Sequence, residues 1–493
     1  MKATHTLLLL FLISGAVGCG AQDTSPPASP PPPPPGSPLP PPPPNIPEGA
    51  VRVVIDTAAR FQRIDGWETS VRMWEQDKVN DRFASSIEAY ATAVANYLVD
   101  SVGINTVRLH ANSGIENPRN DWAPFYSGAM TYNDWSPGRY EKVNDNNDPM
   151  VANLAGFHFE SLDHLVERMV LPMRAALAAR GEQLRLNLNY TDFKWNAARQ
   201  GTLSHATNPA EFAEFVLVCF QHLRDKYGLI PDSFEMILEP ENTVAWTGDN
   251  IGRALVAVSA RLAAAGFHPE FIAPSTTGMD HAVPYFNAIR SIPGAGSLVS
   301  TLAYHRYGGE GEATARSIRD AAAAQHIKTA MLEKVGAGID QLMEDLTVAN
   351  VSGWQQWAMA DESSHPDEGA YYLRAQVGAP PATAIKMASR TPHLAQLFRS
   401  VRRGAVRIGS TSSASDHVVA AFLNPGGQPV VVIRSRQAGS VVAVEGLPPG
   451  SYRVVTTSEF GVEATSGPVT IAAGGWVPVQ TPKAGLATIL RLP

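Results

Sequence analysis

The sequence predicts an α/β chain: a (β/α)8 barrel with a C-terminal antiparallel β-sandwich that also takes the N-terminal strand. Three observations predict it. Between residues 61 and 402 strand-like and helix-like segments alternate, the pattern of a parallel sheet covered by helices. Eight of the strand-like segments end in polar residues, one for each stave of a closed barrel. From residue 403 short β runs alternate with Gly, Pro and Asn turns, the texture of a sandwich. The 493 residues are too many for one ordinary core, so two domains fit the length as well as the pattern.

Two segments precede these domains. Residues 1–19 read as a lipoprotein-type signal peptide. Lys2 is followed by an apolar run, Leu7–Ile13, too short to span a membrane, and then by the small residues before Cys19. That ending resembles a bacterial lipoprotein signal. Export is therefore expected, with the chain anchored at the outer membrane or cell surface through a lipid on Cys19, or secreted. Residues 20–49 are a Pro-rich linker, with 15 prolines between positions 26 and 47. Such a run packs no core and extends as polyproline II, reaching roughly 70 Å at about 3.1 Å per residue.

Within residues 50–60, Val51–Asp56 is the N-terminal strand assigned to the sandwich. The barrel then opens on a strand over 63–70 and a helix over 87–101. The next strand, over 103–110, ends in Arg108 and His110. A long loop from 111 to 155 carries Trp122, Phe125, Tyr126 and Trp135, and its length and aromatics point to function. A helix over 161–180 and a strand over 184–190 follow. Asn208 and Pro209 are the cap and first turn of a helix running to about Lys226. Strands are predicted over 233–240, 270–275, 298–307, 328–333 and 351–357. The helices between them span 250–265, 283–292, 312–325 and 337–346, and a last one covers 392–401.

Two of these strands end in a glutamate. Ser233–Leu238 is mostly apolar and stops at Glu239-Pro240, and Lys328–Leu332 stops at Glu333. Carboxylates on the ends of two barrel strands are the equipment for cleaving a glycosidic bond. Glu239 is expected as general acid/base and Glu333 as nucleophile, with Glu241 a rival for the first role. Glu68 and Asp361-Glu362 read as loop charges. Trp357 would offer its indole face to a sugar ring. Trp67 and Trp246 could wall a cleft or pack in the core.

Composition excludes other classes. Net charge is −7 and no basic stripe argues for nucleic acid. The 13 histidines show no HExxH spacing, the only cysteines are Cys19 and Cys219, and no phosphate-binding glycine loop occurs. No metal or other cofactor and no disulfide framework is expected; Cys219 reads as a small buried apolar residue. The expected partner is a carbohydrate substrate, bound by a monomer.

Several motifs resemble glycoside hydrolase family 30 in their order and spacing over residues 51–493. Gln62-Arg-Ile-Asp-Gly-Trp67 resembles the family's first barrel strand, and Glu239-Pro240 the acid/base motif of its clan. Gly353-Trp-Gln-Gln-Trp357 is similar to the eighth strand of the branch that includes lysosomal glucosylceramidase. His393–Phe398 and Arg403–Ile408 resemble the helix and connection into the family's sandwich. The resemblance implies a substrate-binding set around retaining hydrolysis of a β-glycosidic bond. Arg108 would support the nucleophile, and His305 or Tyr307, with Tyr307 favoured, would bond it. The alternative is a non-catalytic glycan-binding surface lipoprotein on a degenerate barrel. Two departures motivate it: Glu333-Lys-Val-Gly336, and Leu238 where the clan usually has Asn. Asn242, Asn187 or Asn189 would have to supply the missing bond to the sugar 2-OH.

Overall fold

The computed structural model describes residues 45–71, 88–194, 201–362, 371–436 and 439–493. The signal peptide and most of the Pro-rich linker lie outside these residues. Among the described residues no helix is long and apolar enough to cross a membrane.

Eight parallel strands close into a barrel. They are β2 (Gly66–Ser70), β3 (Thr106–Asn112), β4 (Arg185–Thr191), β5 (Ser233–Glu235), β6 (Glu270–Thr276), β7 (Val299–His305), β8 (Lys328–Glu333) and β9 (Val351–Trp354). The first pairs with the last through Gly66 with Gly353 and Trp67 with Trp354, which abolishes the open edges. β5 is shorter than the sequence suggested. It stops at Glu235, and residues 236–239 follow it irregularly, tied by Met236 N to Ile272 O, Leu238 N to Tyr190 O and Glu239 N to Ser275 O. β9 likewise stops at Trp354, three residues early. Strands β10 (Ala358–Glu362), β11 (Tyr371–Ala375) and β12 (Ile385–Met387) extend the sheet outward from β2. Sequence patterning saw only a connection there, and it is β10, not a loop, that carries Asp361.

The barrel helices follow their periodicity, with two features the pattern did not show. The helix expected over 161–180 is α-helical at Glu160–Leu165 and Leu171–Ala179 with a wider turn between. Asn208 precedes the helix Pro209–Tyr227 but its side chain donates back to Ser204 O instead of capping. Gly103 ends another helix at φ 94°, and a Cβ there would meet the backbone of Arg399 at 2.9 Å, so glycine alone lets β3 approach the helix Thr391–Ser400.

β1 (Val51–Arg63) belongs to the second domain. It pairs antiparallel with β13 (Val406–Ser412) and parallel with β16 (Val441–Glu445), and so joins the two halves of one ten-stranded sheet that folds over its own core. Val53, Ile55, Ile408, Val431 and Val444 fill that core. The other face, with Phe422, Val430 and Val432, packs into the barrel's apolar core. Gln396 of the helix Thr391–Ser400 fixes the seam by donating to Val455 O at 2.9 Å and to Thr488 Oγ1 at 2.7 Å. One chain end thus completes the other's sheet, and alternating burial decides which side faces in.

A buried knot braces the outside of β7–β9. Asp345 is fully buried and accepts from Tyr304 Oη at 2.7 Å, Arg306 at 2.7 Å and Trp354 Nε1 at 2.9 Å. Asp345→Ala strands three donors, one of them charged. The expected loss is about 3–5 kcal/mol, checked by denaturant unfolding against Asp345→Asn, which keeps the shape and one acceptor.

Candidate active site

The mouth of the barrel at the carboxyl ends of the strands gathers the polar residues, because inward positions there are not covered by the next layer of core. Glu333 closes β8. The Arg108 guanidinium, on β3 and fully buried, donates to its Oε2, and Tyr307 Oη donates to Oε1 at 3.1 Å. Arg108 also donates to Leu332 O at 3.1 Å and lies 3.8 Å from Glu235. Tyr307 in turn accepts from Val335 N at 3.1 Å, which aims its hydroxyl hydrogen at Glu333.

Glu239 stands opposite, in the left-handed region at φ 49°, ψ 67°. Pro240 disfavours the right-handed helical region for the residue before it, and the backbone bond to Ser275 O fixes what remains. A strained non-glycine backbone at a cleft is what aims this carboxylate. Its Oε2 accepts from Asn242 Nδ2 at 2.8 Å and its Oε1 meets His305 Nδ1 at 3.0 Å. One carboxylate oxygen of Glu239, one of Glu333 and a His305 ring nitrogen lie within 4.8 Å of one another. That spacing could suit a cation, but Glu333 already accepts from Arg108 and Tyr307, and Glu239 from Asn242.

Behind the pair runs a chain that the sequence did not disclose. Ser275 Oγ donates to Glu235 Oε1 at 2.5 Å and lies 3.3 Å from His305 Nε2. With the serine hydrogen committed to Glu235, the ring must donate from Nε2 to Ser275. One proton is then left for the contact between His305 Nδ1 and Glu239. Burial pushes the Glu239 carboxyl up, but the His305 hydrogen bond and charge, helped by Asn242 and Arg108, bring it below the ordinary carboxylate value. Glu68 is not a loop charge. It is buried on β2 beside Asn187 (3.4 Å), and burial pushes it up to about 7 against the pull of Arg108.

The remaining sequence candidates divide. Trp357 is half-buried on the rim, tilted against Tyr371 with ring centres 5.5 Å apart. Trp67 is not at the mouth: it is fully buried, stacked on Phe398 at 4.6 Å, with Nε1 donating to Val401 O. Its strand begins at Gly66, so residue 67 sits at the opposite end of the barrel from the carboxylates. Trp246 is core as well, edge-on to Phe212 and bonded to Asp192. Glu241 turns away to Thr277 N at 3.1 Å and His281 at 2.8 Å. Leu238 packs with Tyr140 and Phe193 in a small apolar cluster. Asn187 is spent on Glu68 and Glu235, and Asn242 on Glu239. Asn189 is buried and neither polar atom of its side chain has a partner. In the 111–155 loop Trp122, Phe125 and Trp135 form a core of their own. Glu235 and Ser275 were missed; the signal available for Glu235 was a charge inside an apolar run.

A barrel with two facing carboxylates at its mouth, joined to a sandwich built from both chain ends, has the architecture of a glycoside hydrolase. The sequence model of the glycosyl hydrolase family 30 β-sandwich domain matches residues 404–445. The fold is similar to the catalytic domain of family 30 xylanase C from Talaromyces cellulolyticus, with a TM-score of 0.64 and 15% identity, covering 90% of this chain and 100% of that one. It is also similar to a family 30 endoxylanase from Clostridium papyrosolvens C71 (TM-score 0.60, 12% identity, 90% and 100% covered). A third likeness is to the endo-β1,6-glucanase BT3312 (TM-score 0.60, 14% identity, 89% and 93% covered). No curated protein sequence matches the chain. The family model thus matches part of the sandwich, and the solved structures share the fold of barrel and sandwich together.

Proposed function

We propose that the protein is a retaining glycoside hydrolase that cleaves β-glycosidic bonds of an oligo- or polysaccharide by double displacement. The observation that carries this reading is the approach of Glu239 and Glu333 to within 4.8 Å, oxygen to oxygen. Retaining enzymes hold their carboxyls about 5–5.5 Å apart, whereas inverting ones leave about 6.5–9.5 Å for a water between them.

The surroundings assign the roles. Glu333 accepts from a guanidinium and a phenol, which orient its carboxylate to attack the anomeric carbon. Glu239 faces His305 across one shared proton and gives that proton to the departing oxygen. The ionised Glu239 then takes a proton from water, whose oxygen releases the sugar from Glu333. Tyr307 and Arg108 position the nucleophile. Trp357 presents a half-exposed face at the rim for a sugar ring. The structures of similar fold include family 30 xylanases and an endo-β1,6-glucanase, so the linkage is proposed only as β. The same reading has the chain exported by its N-terminal signal and held through a lipid at Cys19 by the Pro-rich linker.

The test is a screen of purified protein on β-linked xylan, glucan, galactan and aryl glycosides, with the first-formed anomer read by NMR. A β product is expected. An α product would reverse the role of Glu333, and an oligosaccharide bound but never cut would leave a binding protein.

A further inference from the structure

A second group of carboxylates lies away from the barrel mouth, where the long loop after β3 meets the helix Pro209–Tyr227. Oxygens of Glu116, Asp145 and Glu211 lie within 4.8 Å of one another. Glu116 and Asp145 come from the loop and Glu211 from the first turn of the helix. Glu214, one turn on along the same helix face, is 2% exposed, and its Oε2 has no hydrogen-bond partner. The charges that act on it are those of Asp145, Glu211 and Glu116, set against Arg261. Two further buried oxygens here lack a donor, Asp145 Oδ1 and Asn144 Oδ1.

A buried carboxylate oxygen without a donor is costly, and four carboxylates at close range compound that cost. Basic groups that could offset it are committed elsewhere. Lys142 donates to Asp192 at 2.5 Å and to Tyr140 O at 3.2 Å, and Arg261 to Met150 O at 2.8 Å. His205 is shared: its Nε2 meets Glu116 Oε2 at 2.8 Å and its Nδ1 meets Tyr190 Oη at 2.8 Å.

We propose that Glu116, Asp145 and Glu211, with Glu214 and the Asn144 side-chain oxygen, hold a calcium ion that pins the β3 loop to the helix. The donors are all oxygens, which selects a hard cation. A site built from a loop and a helix suits the six to eight adaptable ligands of calcium better than the strict octahedron of magnesium. The ion would sit at the hub of the loop. Glu116 O accepts from Val143 N at 2.9 Å, and Glu116 pairs across an isolated bridge with Phe157. The same loop supplies Tyr140, which packs on Leu238 next to Glu239. The proposal does not depend on the catalytic reading.

Isothermal calorimetry of the full chain, after removal of metals by a chelator, tests it with calcium chloride and magnesium chloride as the probes. One calcium site per chain is expected, with weaker magnesium binding and a higher Tm in calcium than in chelator. Glu214→Gln and Asp145→Asn should each weaken calcium at least about tenfold. In chelator the same variants should melt no lower than the unaltered chain, since removing a negative charge relieves repulsion; a purely structural carboxylate would lower Tm there. No calcium heat at millimolar concentration, or magnesium bound more tightly than calcium, would overturn the proposal. Should a variant not fold, the titration of the unaltered chain still decides.

Discussion

Glu333→Gln is expected to remove turnover while the protein stays folded, with kcat/KM falling on the order of 10⁵-fold. The fold should survive because the amide keeps the shape and its oxygen can still accept from Arg108, which retains Glu235 at 3.8 Å as a second partner. Glu333→Gly carries the argument further. It opens space where the carboxylate met the anomeric carbon, and a small anion such as azide can enter. Single displacement by azide on an activated aryl β-glycoside gives an α-glycosyl azide, opposite in configuration to the substrate. Recovery of turnover with that product, followed by NMR, identifies the nucleophile and not merely an essential residue. A variant that keeps more than about a hundredth of its activity on all substrates would contradict the role, since loss of a covalent nucleophile is among the largest single effects known. Near-ultraviolet circular dichroism on the same samples separates lost chemistry from lost packing.

How much of this was legible beforehand depends on how local the signal is. The eight barrel strands were readable because inward apolar runs end in polar residues at one rim. The Val51–Asp56 strand was readable because a lone alternating strand before a barrel must bury one face somewhere. Arg108, His305, Tyr307 and the two glutamates were each visible as polar ends of apolar runs. Trp67 was left between cleft and core for a reason in the same geometry. Tryptophan is equally at home in a cleft and a core, and only the start of β2 at Gly66 puts residue 67 at the far end of the barrel. β10 was invisible because its pairing with β2 is a contact between residues about 290 apart, Ala358 with Ser70, with no trace in local pattern, and β11 and β12 add to the sheet only through β10.

The chain Glu235–Ser275–His305–Glu239 was hidden for a different reason. Its members come from β5, β6, β7 and the segment after β5, and Ser275 is an unremarkable residue in sequence. The acidic cluster was hidden likewise. A search for metal ligands by Cys and His spacing passes over an oxygen-only set drawn from Glu116, Asp145 and Glu211, which are 29 and 66 residues apart in turn. The departure at Leu238 has a local explanation. Its side chain fills an apolar cluster with Tyr140 and Phe193, so the position serves packing of the long loop and offers no polar group to a sugar.

Glu239→Gln should behave differently from the Glu333 variants, and the contrast is the sharper test of the assignment. An acid/base contributes about 10²–10⁴-fold, and its contribution depends on how badly the leaving oxygen needs a proton. On natural glycans, where the leaving alcohol is poor, the variant is expected to lose most of that factor. On aryl glycosides whose phenolate leaves unaided, formation of the glycosyl-enzyme should be nearly intact and its hydrolysis slow, so that a burst of phenolate precedes slow turnover. The pH profile gives a second readout. Glu239 works only while it has a proton to give, and His305 and Asn242 hold its carboxyl below the ordinary value despite burial. The kcat/KM of the unaltered enzyme should therefore peak on the acid side of neutrality and fall as rising pH strips the proton shared with His305. In Glu239→Gln that alkaline fall should vanish for aryl substrates. An alkaline fall that survives the substitution would move the acid to another group, with Glu241 excluded by its bonds to Thr277 and His281. A uniform loss on aryl and natural substrates alike would show that Glu239 holds the substrate instead of protonating it.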